Sequence, residues 1–198
     1  PSLGHIDRVL RNGRRLLRLI NDALELSRHE TGEIELQLEW TDVRSVIQSV
    51  LEVVQPLADA KTLQLLWDCD PDFSSVLTDS FRLQQILINL MSNAIRYTQT
   101  GNVTLECRAL DDDQWVVSII DTGIGIPLDV QARIFDPFFR GQLSDISQTV
   151  EGTGLGLAIV DLLVKRLQGS IFVTSEVGMG STFTIVFPIK ISNLASPE

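Results

Sequence analysis

Positive charge, cysteine and long apolar runs are all scarce in this sequence, and each scarcity excludes a class of protein. The 198 residues contain 16 Lys and Arg against 26 Asp and Glu, which gives a formal net charge of −10. Because a polyanion is bound by clustered Lys and Arg, this balance argues against a nucleic-acid-binding surface. No apolar run approaches the roughly 18 residues of a membrane-spanning helix, and no signal peptide is visible, so we expect no membrane contact.

The two cysteines, Cys69 and Cys107, fit no spacing of metal ligands. The sequence favours two reduced, buried thiols that act as small hydrophobic residues in a cytoplasmic protein, with membrane attachment of any parent protein left open. Both familiar phosphate-binding loops are absent as well. There is no G-x-x-x-x-G-K-[ST] motif, and no G-x-G-x-x-G follows a strand.

The apolar fraction of 44% is enough for one good core. The patterns predict a long helix over 3–27 within an N-terminal segment 1–32, one domain over 33–190 and a tail over 191–198. Apolar residues at heptad spacing give the helix a broad apolar face, which packs either on a partner helix, in a bundle or dimer, or on its own domain. Because the chain starts inside this helical pattern, we expect it to be a fragment of a longer protein.

Strands interleave with helices in the main domain, which predicts an α+β fold. We expect a two-layer sandwich in which about three helices cover one face of a mixed, mostly antiparallel sheet. Thr41 or Asp42 would cap the first helix, and Asp79 or Ser80 the second. The predicted helices cover 43–55, 81–97 and 155–167. The predicted strands cover 34–38, 63–67, a short piece near Val76, 102–109, 114–120, 170–175 and 181–188.

Two glycine-rich turns, 121–126 and 152–157, flank an aromatic patch and a polar stretch. Glycine lets backbone amides approach phosphate oxygens closely. The second turn runs directly into the helix at 155–167, so phosphates would lie at a helix N-terminus, where unpaired N–H groups and the helix dipole favour an anion. This arrangement is typical of a nucleotide site.

Asn89 and Asn93 lie four residues apart on one face of a predicted amphipathic helix. An Asn oxygen is a hard neutral ligand that suits Mg²⁺, but the pair taken alone favours satisfied core amides or a helix-end cap. Arg96 could meet phosphate charge and Tyr97 could present its ring to a base, or they are a surface Arg and a core-edge Tyr. Asp121 could accept from an exocyclic amine, which distinguishes adenine from guanine, or it simply starts a glycine turn.

These features recur in a fixed order that resembles the catalytic, ATP-binding domain of sensor histidine kinases. The N, G1, F and G2 boxes of that family and its third glycine box match, in turn, Asn89/Asn93, 121–125, 134–140, 152–156 and 178–182. Residues 19–32 also look like the end of the second dimerisation helix that precedes that domain. The resemblance covers nearly the whole chain and implies the histidine kinase/gyrase-type ATP-binding fold.

The resemblance implies that ATP and Mg²⁺ are the ligands. Asn93 would coordinate Mg²⁺, and Asn89 would support the metal–phosphate site. Arg96 and Arg140 would contact phosphate charge, which makes them, with Asn89, the catalytic candidates. The other positions that would line the nucleotide are Tyr97, Asp121, Gly123, Gly125, Ile126, Phe135, Thr153, Gly154, Leu155, Gly156, Leu157 and Thr182.

The resemblance also implies a lid over ATP at 141–151. Phe135, Phe138 and Phe139 would pack the base of this lid, and the simpler reading of these rings as core is compatible with that role. The segment from Gly154 to Leu157 would be the hinge on the phosphate side.

Asn89 separates two kinds of ATP chemistry. Gyrase-type and chaperone-type ATPases of the same fold place a Glu, which activates water as a general base, four residues before the metal-binding Asn. The amide of Asn89 cannot take a proton, so the resemblance implies transfer to another nucleophile rather than hydrolysis.

The phosphoacceptor histidine of the family has no match among the two histidines, His5 and His29. We therefore expect the substrate histidine on a dimerisation helix outside these residues. The implied partners are that helix, a response-regulator receiver domain and a second copy in a homodimer of the full-length protein. A non-catalytic nucleotide-binding scaffold is the alternative, and a hydrolytic ATPase ranks third.

Overall fold

The structure is a computed structural model, which describes residues 35–70, 75–139 and 153–191 together with eight positions between residues 10 and 24. The helices are α1 (Val43–Asp59), α2 (Ser80–Tyr97), α3 (Leu128–Gln131) and α4 (Gly156–Arg166). The strands are β1 (Glu39–Asp42), β2 (Gln64–Cys69), β3 (Ser75–Thr78), β4 (Asn102–Ala109), β5 (Gln114–Asp121), β6 (Ser170–Glu176) and β7 (Gly180–Pro188).

Five of the strands form one mixed sheet in the order β2-β4-β5-β7-β6, and β1 pairs with β3 in a separate small sheet. Strand β2 runs parallel to β4, and the other neighbours in the five-stranded sheet are antiparallel. Alternate residues of the central strands, such as Leu105, Ile119 and Ile185, are fully buried. Together with the apolar sides of α1, α2 and α4 they form the core. The predicted α+β fold with three covering helices is confirmed, and the short α3 is an addition.

All eight described positions of the N-terminal segment are helical, as the heptad pattern predicts. Leu10, Leu17, Ile20 and Leu24 are spaced along one helix face, and between 47% and 62% of each remains exposed. The described part of the chain therefore leaves this apolar stripe uncovered. Within the same described residues, none of the helices has both the length and the apolar character required to cross a bilayer.

Helix α1 begins as predicted and ends later. The Asp42 carboxylate accepts from the Arg44 N–H at 3.0 Å and caps the first turn. The helix continues past Gln55 and Pro56 to Asp59. Proline removes only one backbone donor near a helix end, and the burial of Val54 and Ala58 against the core holds the last turn.

The predicted strand at 34–38 is wrong for residues 35–38, which form no strand. Pairing begins only at Glu39, opposite Thr78, in strands of four residues each. A strand needs a hydrogen-bonded neighbour, and β3 is too short to extend the ladder. The Gln37 N–H instead donates to the Asp79 carboxylate at 2.9 Å.

The two cysteines are not reduced, contrary to the sequence-based expectation. Cys69 of β2 and Cys107 of β4 are direct partners in the parallel register, with Cα atoms 4.6 Å apart, and they form a disulfide. The pairing was hidden because it depends on the register of two strands 38 residues apart. Disulfides are rare in the cytosol, so cysteine usage no longer supports a cytoplasmic location.

Candidate nucleotide-binding site

Helix α2 carries the predicted metal and phosphate ligands. Its first turn is capped by the Asp79 carboxylate, which accepts from the Arg82 N–H at 3.0 Å. Asn89, Asn93 and Arg96 are half-buried. Arg96 Nη1 donates to Asn93 Oδ1 at 3.3 Å, so a neutral oxygen and a guanidinium lie side by side. The structure therefore brings together a predicted Mg²⁺ ligand and a predicted phosphate-binding cation.

The N-terminus of α4 lies against the same face of α2. A Cβ on Gly156 would be 3.2 Å from Asn89 Oδ1, which shows how closely the two helices approach. Leu155 is fully buried and anchors the start of α4. Within the described residues no side chain caps this helix, so its first N–H groups are suited to bind an anion.

Residues 140–152 lie outside the described residues, and the positions that border them are hydrogen-bonded to each other. The Phe138 N–H donates to the Gly154 carbonyl at 2.9 Å. Gly154 has a φ of +74°, which its lack of a Cβ permits. The predicted lid at 141–151 and Arg140 both fall in the segment that the structure does not describe.

Asp121 ends β5 as a buried carboxylate that is only 6% exposed. Its Oδ1 accepts from the Gly123 N–H at 2.8 Å. The backbone N–H and the hydroxyl of Ser181 also favour the ionised carboxylate and lower its pKa, and the same hydroxyl lies 3.0 Å from Ser175 Oγ. Burial nevertheless raises the pKa of Asp121, because it outweighs these hydrogen bonds. A buried acceptor held in this way can read a donor on a bound ligand.

The first glycine turn is clamped between α2 and β6. A Cβ on Gly123 would lie 2.6 Å from the Tyr97 carbonyl oxygen and 2.7 Å from Asp121 Oδ1, so only glycine fits there. The Ile124 N–H donates to the same Tyr97 carbonyl at 3.3 Å. On the other side, Gly125 packs on the backbone of Glu176. The turn and the end of α2 thus form one unit.

The structure does not bring Thr182 to Asp121. In the β5–β7 register Asp121 faces Ser181, whereas Thr182 pairs with Ile120, whose side chain points to the opposite side of the sheet. Ser181, which faces Asp121, was not among the site residues predicted from the sequence. Its signal was the period of two in β7, since Ser181 shares the buried face of Phe183.

The aromatic patch is largely structural. Phe135 and Phe183 make an edge-to-face contact with ring centroids 6.5 Å apart. Phe139 stacks under the Arg133 guanidinium at 4.5 Å, and Phe138 is 65% exposed. Phe135 therefore packs on the core, as the simpler interpretation of these rings predicts. The predicted residues Ile126 and Leu157 also pack on the core.

Taken together, α2 connects the two glycine turns. Asn89 meets the start of α4, and Tyr97 meets the turn after Asp121, about 12 Å further along the helix axis. Thr153 lies next to α4, where its hydroxyl accepts from the Leu155 N–H at 3.2 Å. An extended ligand with a hydrogen-bonding base at one end and phosphates at the other matches this layout.

Residues 78–191 match the family described as Histidine kinase-, DNA gyrase B-, and HSP90-like ATPase. The sensor histidine kinase RcsC of Escherichia coli (strain K12) is 39% identical over 175 residues, which cover 88% of this chain and 18% of RcsC. The crystal structure of full-length ShkA in complex with AMPPNP has a TM-score of 0.82 and 34% identity, over 93% of this chain and 38% of ShkA. The Acinetobacter baumannii histidine kinase AdeS has a TM-score of 0.80 and 28% identity, over 96% of this chain and 86% of that one.

The chain spans about a fifth of the length of the curated relatives it matches. The share is 18% for RcsC and 22% for the autoinducer 2 sensor kinase/phosphatase LuxQ of Vibrio cholerae. These relatives are sensor kinases, and the family match over residues 78–191 includes α2, both glycine turns that frame the site, and β7.

Proposed function

Because the chain belongs to the family of histidine kinase-, DNA gyrase B- and HSP90-like ATPases, we propose that it is the ATP-binding catalytic core of a sensor histidine kinase. It would transfer the γ-phosphoryl group of ATP to a histidine outside these residues, for relay to an aspartate of a response-regulator receiver domain. One observation carries the proposal: α2 holds Asn89 beside the start of α4, carries Asn93 one turn further on, and joins both to the turn that follows the buried Asp121.

Asp121 supplies the specificity for adenine in this proposal. Its carboxylate is held by Gly123 and Ser181 in a buried position. An acceptor there favours the exocyclic amine of adenine, whereas the carbonyl oxygen of guanine would place a second acceptor against the buried carboxylate. The complex of the relative ShkA with AMPPNP, an ATP analogue, supports the same ligand class.

The phosphates belong at the other end of the site. Asn93 would hold Mg²⁺ with Asn89 in support, since Mg²⁺ prefers hard oxygen ligands such as the amide oxygens of these residues. When bound, Mg²⁺ neutralises charge on the phosphates. Arg96 and the first N–H groups of α4 bind and orient the phosphate chain, and positioning supplies most of the catalysis in phosphoryl transfer.

The side chain at position 89 supports transfer over hydrolysis. Asn89 Oδ1 lies 3.2 Å from the position that a Cβ on Gly156 would occupy, next to the proposed phosphate site. An amide there cannot deprotonate water, so the acceptor must bring its own nucleophile. The scaffold alternative predicts nucleotide binding without labelling of any histidine.

The uncovered stripe of the N-terminal helical segment supports a helical partner. Leu10, Leu17 and Leu24 recur every seven residues and are each at least 51% exposed. We propose that this stripe packs in the dimerisation bundle of a full-length homodimer. In this proposal the chain consists of a dimerisation-helix segment at 1–32, the ATP-binding domain at 33–190 and a tail at 191–198. The site would work in the cytoplasm, where ATP is available.

A calorimetric titration tests the proposal. The chain is titrated with AMPPNP, with and without Mg²⁺, and compared with Asn93→Ala and with Asn21→Ala, an exposed Asn of the helical segment. We expect Mg²⁺-dependent binding that is lost only in Asn93→Ala. A folded wild-type chain that binds no analogue would contradict the nucleotide site. With the histidine-bearing helix restored, ATP labelled at the γ position should label a histidine, and binding without labelling would favour the scaffold.

A further inference from the structure

A lysine from outside the recognised motifs caps the end of α2. The Lys61 ammonium donates to the carbonyl oxygens of Ile95 at 2.9 Å, Arg96 at 2.7 Å and Thr98 at 3.1 Å. Lys61 lies in the turn between α1 and β2, and outside residues 78–191 that match the family. All three donors of an ammonium group are thus used on one short stretch of backbone.

The remaining carbonyls at this helix end are also occupied. The Ala94 carbonyl accepts from the Thr98 N–H at 3.1 Å and from its hydroxyl at 2.7 Å. The Tyr97 carbonyl accepts from the Ile124 N–H of the first glycine turn. The last carbonyls of a helix normally lack intrahelical partners. Here Lys61 and the glycine turn share them, so both hold the stretch that ends in Arg96 and Tyr97.

The turn that carries Lys61 is itself firmly held. The Lys61 N–H and the Leu63 N–H both donate to the Ala58 carbonyl at 3.0 Å, and Thr62 adopts a left-handed φ of +57°. Desolvation and then the positive charge of Arg96 lower the pKa of Lys61. The hydrogen bonds of the Lys61 ammonium to the negative end of the helix dipole offset the cost of desolvation and of repulsion from Arg96.

We propose that Lys61 is a positioning residue for the nucleotide site. It fixes the last turn of α2, and through it the direction of the Arg96 and Tyr97 side chains. The Tyr97 carbonyl accepts from the Ile124 N–H. By fixing the last turn of α2, Lys61 therefore also sets the distance between α2 and the turn that follows Asp121. This role rests on the proposed nucleotide-binding function, and Lys61 acts through these groups rather than on the ligand.

The experiment compares Lys61→Met, which keeps the stem and removes the ammonium, with Lys190→Met. Lys190 is exposed and lies over the Trp40 ring at 5.6 Å, so it is a matched control away from the site. In calorimetry with Mg·AMPPNP we expect roughly tenfold weaker binding for Lys61→Met, the usual scale for loss of a group that orients direct ligands. Lys190→Met should bind as the wild type does. Lys61→Arg, which keeps the charge and several donors, should recover most of the affinity.

Amide hydrogen exchange separates positioning from general stability. In Lys61→Met the Ile124 N–H should exchange faster, whereas amides in the centre of β5, such as Val117, should not change. A lower melting temperature with unchanged affinity of the folded molecules would overturn the proposal, because it would show a structural role only. If Lys61→Met does not fold, the Lys61→Arg variant provides the test. A folded Lys61→Arg chain that binds as tightly as the wild type supports the proposal. Tenfold weaker binding of Lys61→Arg with unchanged exchange of the Ile124 N–H overturns it. Failure of the wild-type chain to bind would instead contradict the nucleotide site itself.

Discussion

Ser181 lies opposite Asp121 in the pairing of β7 with β5, and its backbone N–H and hydroxyl both favour the ionised form of the Asp121 carboxyl. The neighbouring Thr182 pairs with Ile120 and points away from this carboxylate. Two adjacent hydroxyl residues of similar chemistry therefore have different relations to the site, and they form a natural pair of variants.

Ser181→Ala should weaken nucleotide binding, and Thr182→Ala should not. Loss of a hydrogen bond to a charged group costs about 1.5 kcal/mol, which corresponds to roughly a tenfold change in affinity. A change at the outward position should stay within about 0.5 kcal/mol. Titration of both variants with Mg·AMPPNP measures the difference, and equal losses would show that the register argument does not govern the site.

Nucleotide affinity should fall at a higher pH than it would if Asp121 had the pKa of an ordinary aspartate. Burial raises the pKa of Asp121 above its ordinary value of 3.8. As the pH falls through this raised pKa, the carboxylate takes up a proton and loses acceptor capacity for the adenine amine. Titrations over a series of pH values check this, and the acid loss should be absent from Asp121→Asn, whose affinity is already low.

Asp121→Asn should make the ligand-free chain more stable while it weakens binding. A raised pKa means that the folded state binds the proton more tightly than the unfolded state, so the ionised carboxylate costs stability above pH 3.8. That cost is fully present above the raised pKa and is relieved as the pH falls through it. Removal of the charge should raise the melting temperature at pH 7, yet weaken AMPPNP binding by more than about tenfold. A melting temperature that falls would contradict the sign of this argument.

Gly154→Ala should weaken binding more than Gly178→Ala does. Both glycines have positive φ, +74° and +82°, so each substitution costs about 1–2 kcal/mol of stability. At Gly178 a Cβ meets nothing within 4 Å, whereas at Gly154 it would lie 3.0 Å from the Phe138 backbone. The start of α4 must then shift, and with it the phosphate site. Melting curves should show similar losses for the two variants, and calorimetry should show weaker nucleotide binding for Gly154→Ala alone.

Reduction should destabilise the chain without changing its nucleotide affinity. The Cys69–Cys107 disulfide closes a loop over 38 residues, which is worth about 2–4 kcal/mol of unfolding free energy. Denaturant unfolding with and without reductant measures this loss, and a Cys69→Ala/Cys107→Ala variant should not respond to reductant. Alkylation of both cysteines in the native, unreduced chain would show that the bond is absent.

Local motifs carried most of the fold and of the site. The Asp79 cap, the apolar face of α2 and the four-residue spacing of Asn89 and Asn93 depend only on neighbours within about one helical turn. The glycine turns are likewise read from a few adjacent residues. These features were predictable because the physics that creates them acts along a short stretch of chain.

The sequence by itself determined the order of the boxes, the helix that bears the amides and the α+β class. Only the tertiary structure decided that Ser181 rather than Thr182 faces Asp121, that Cys69 meets Cys107, and that Lys61 reaches carbonyls 34 to 37 residues away. Each of these depends on strand register or on the packing of one element's end against another. A shift of one residue in register reverses which face a side chain occupies, and no pattern within a single strand or turn encodes that choice.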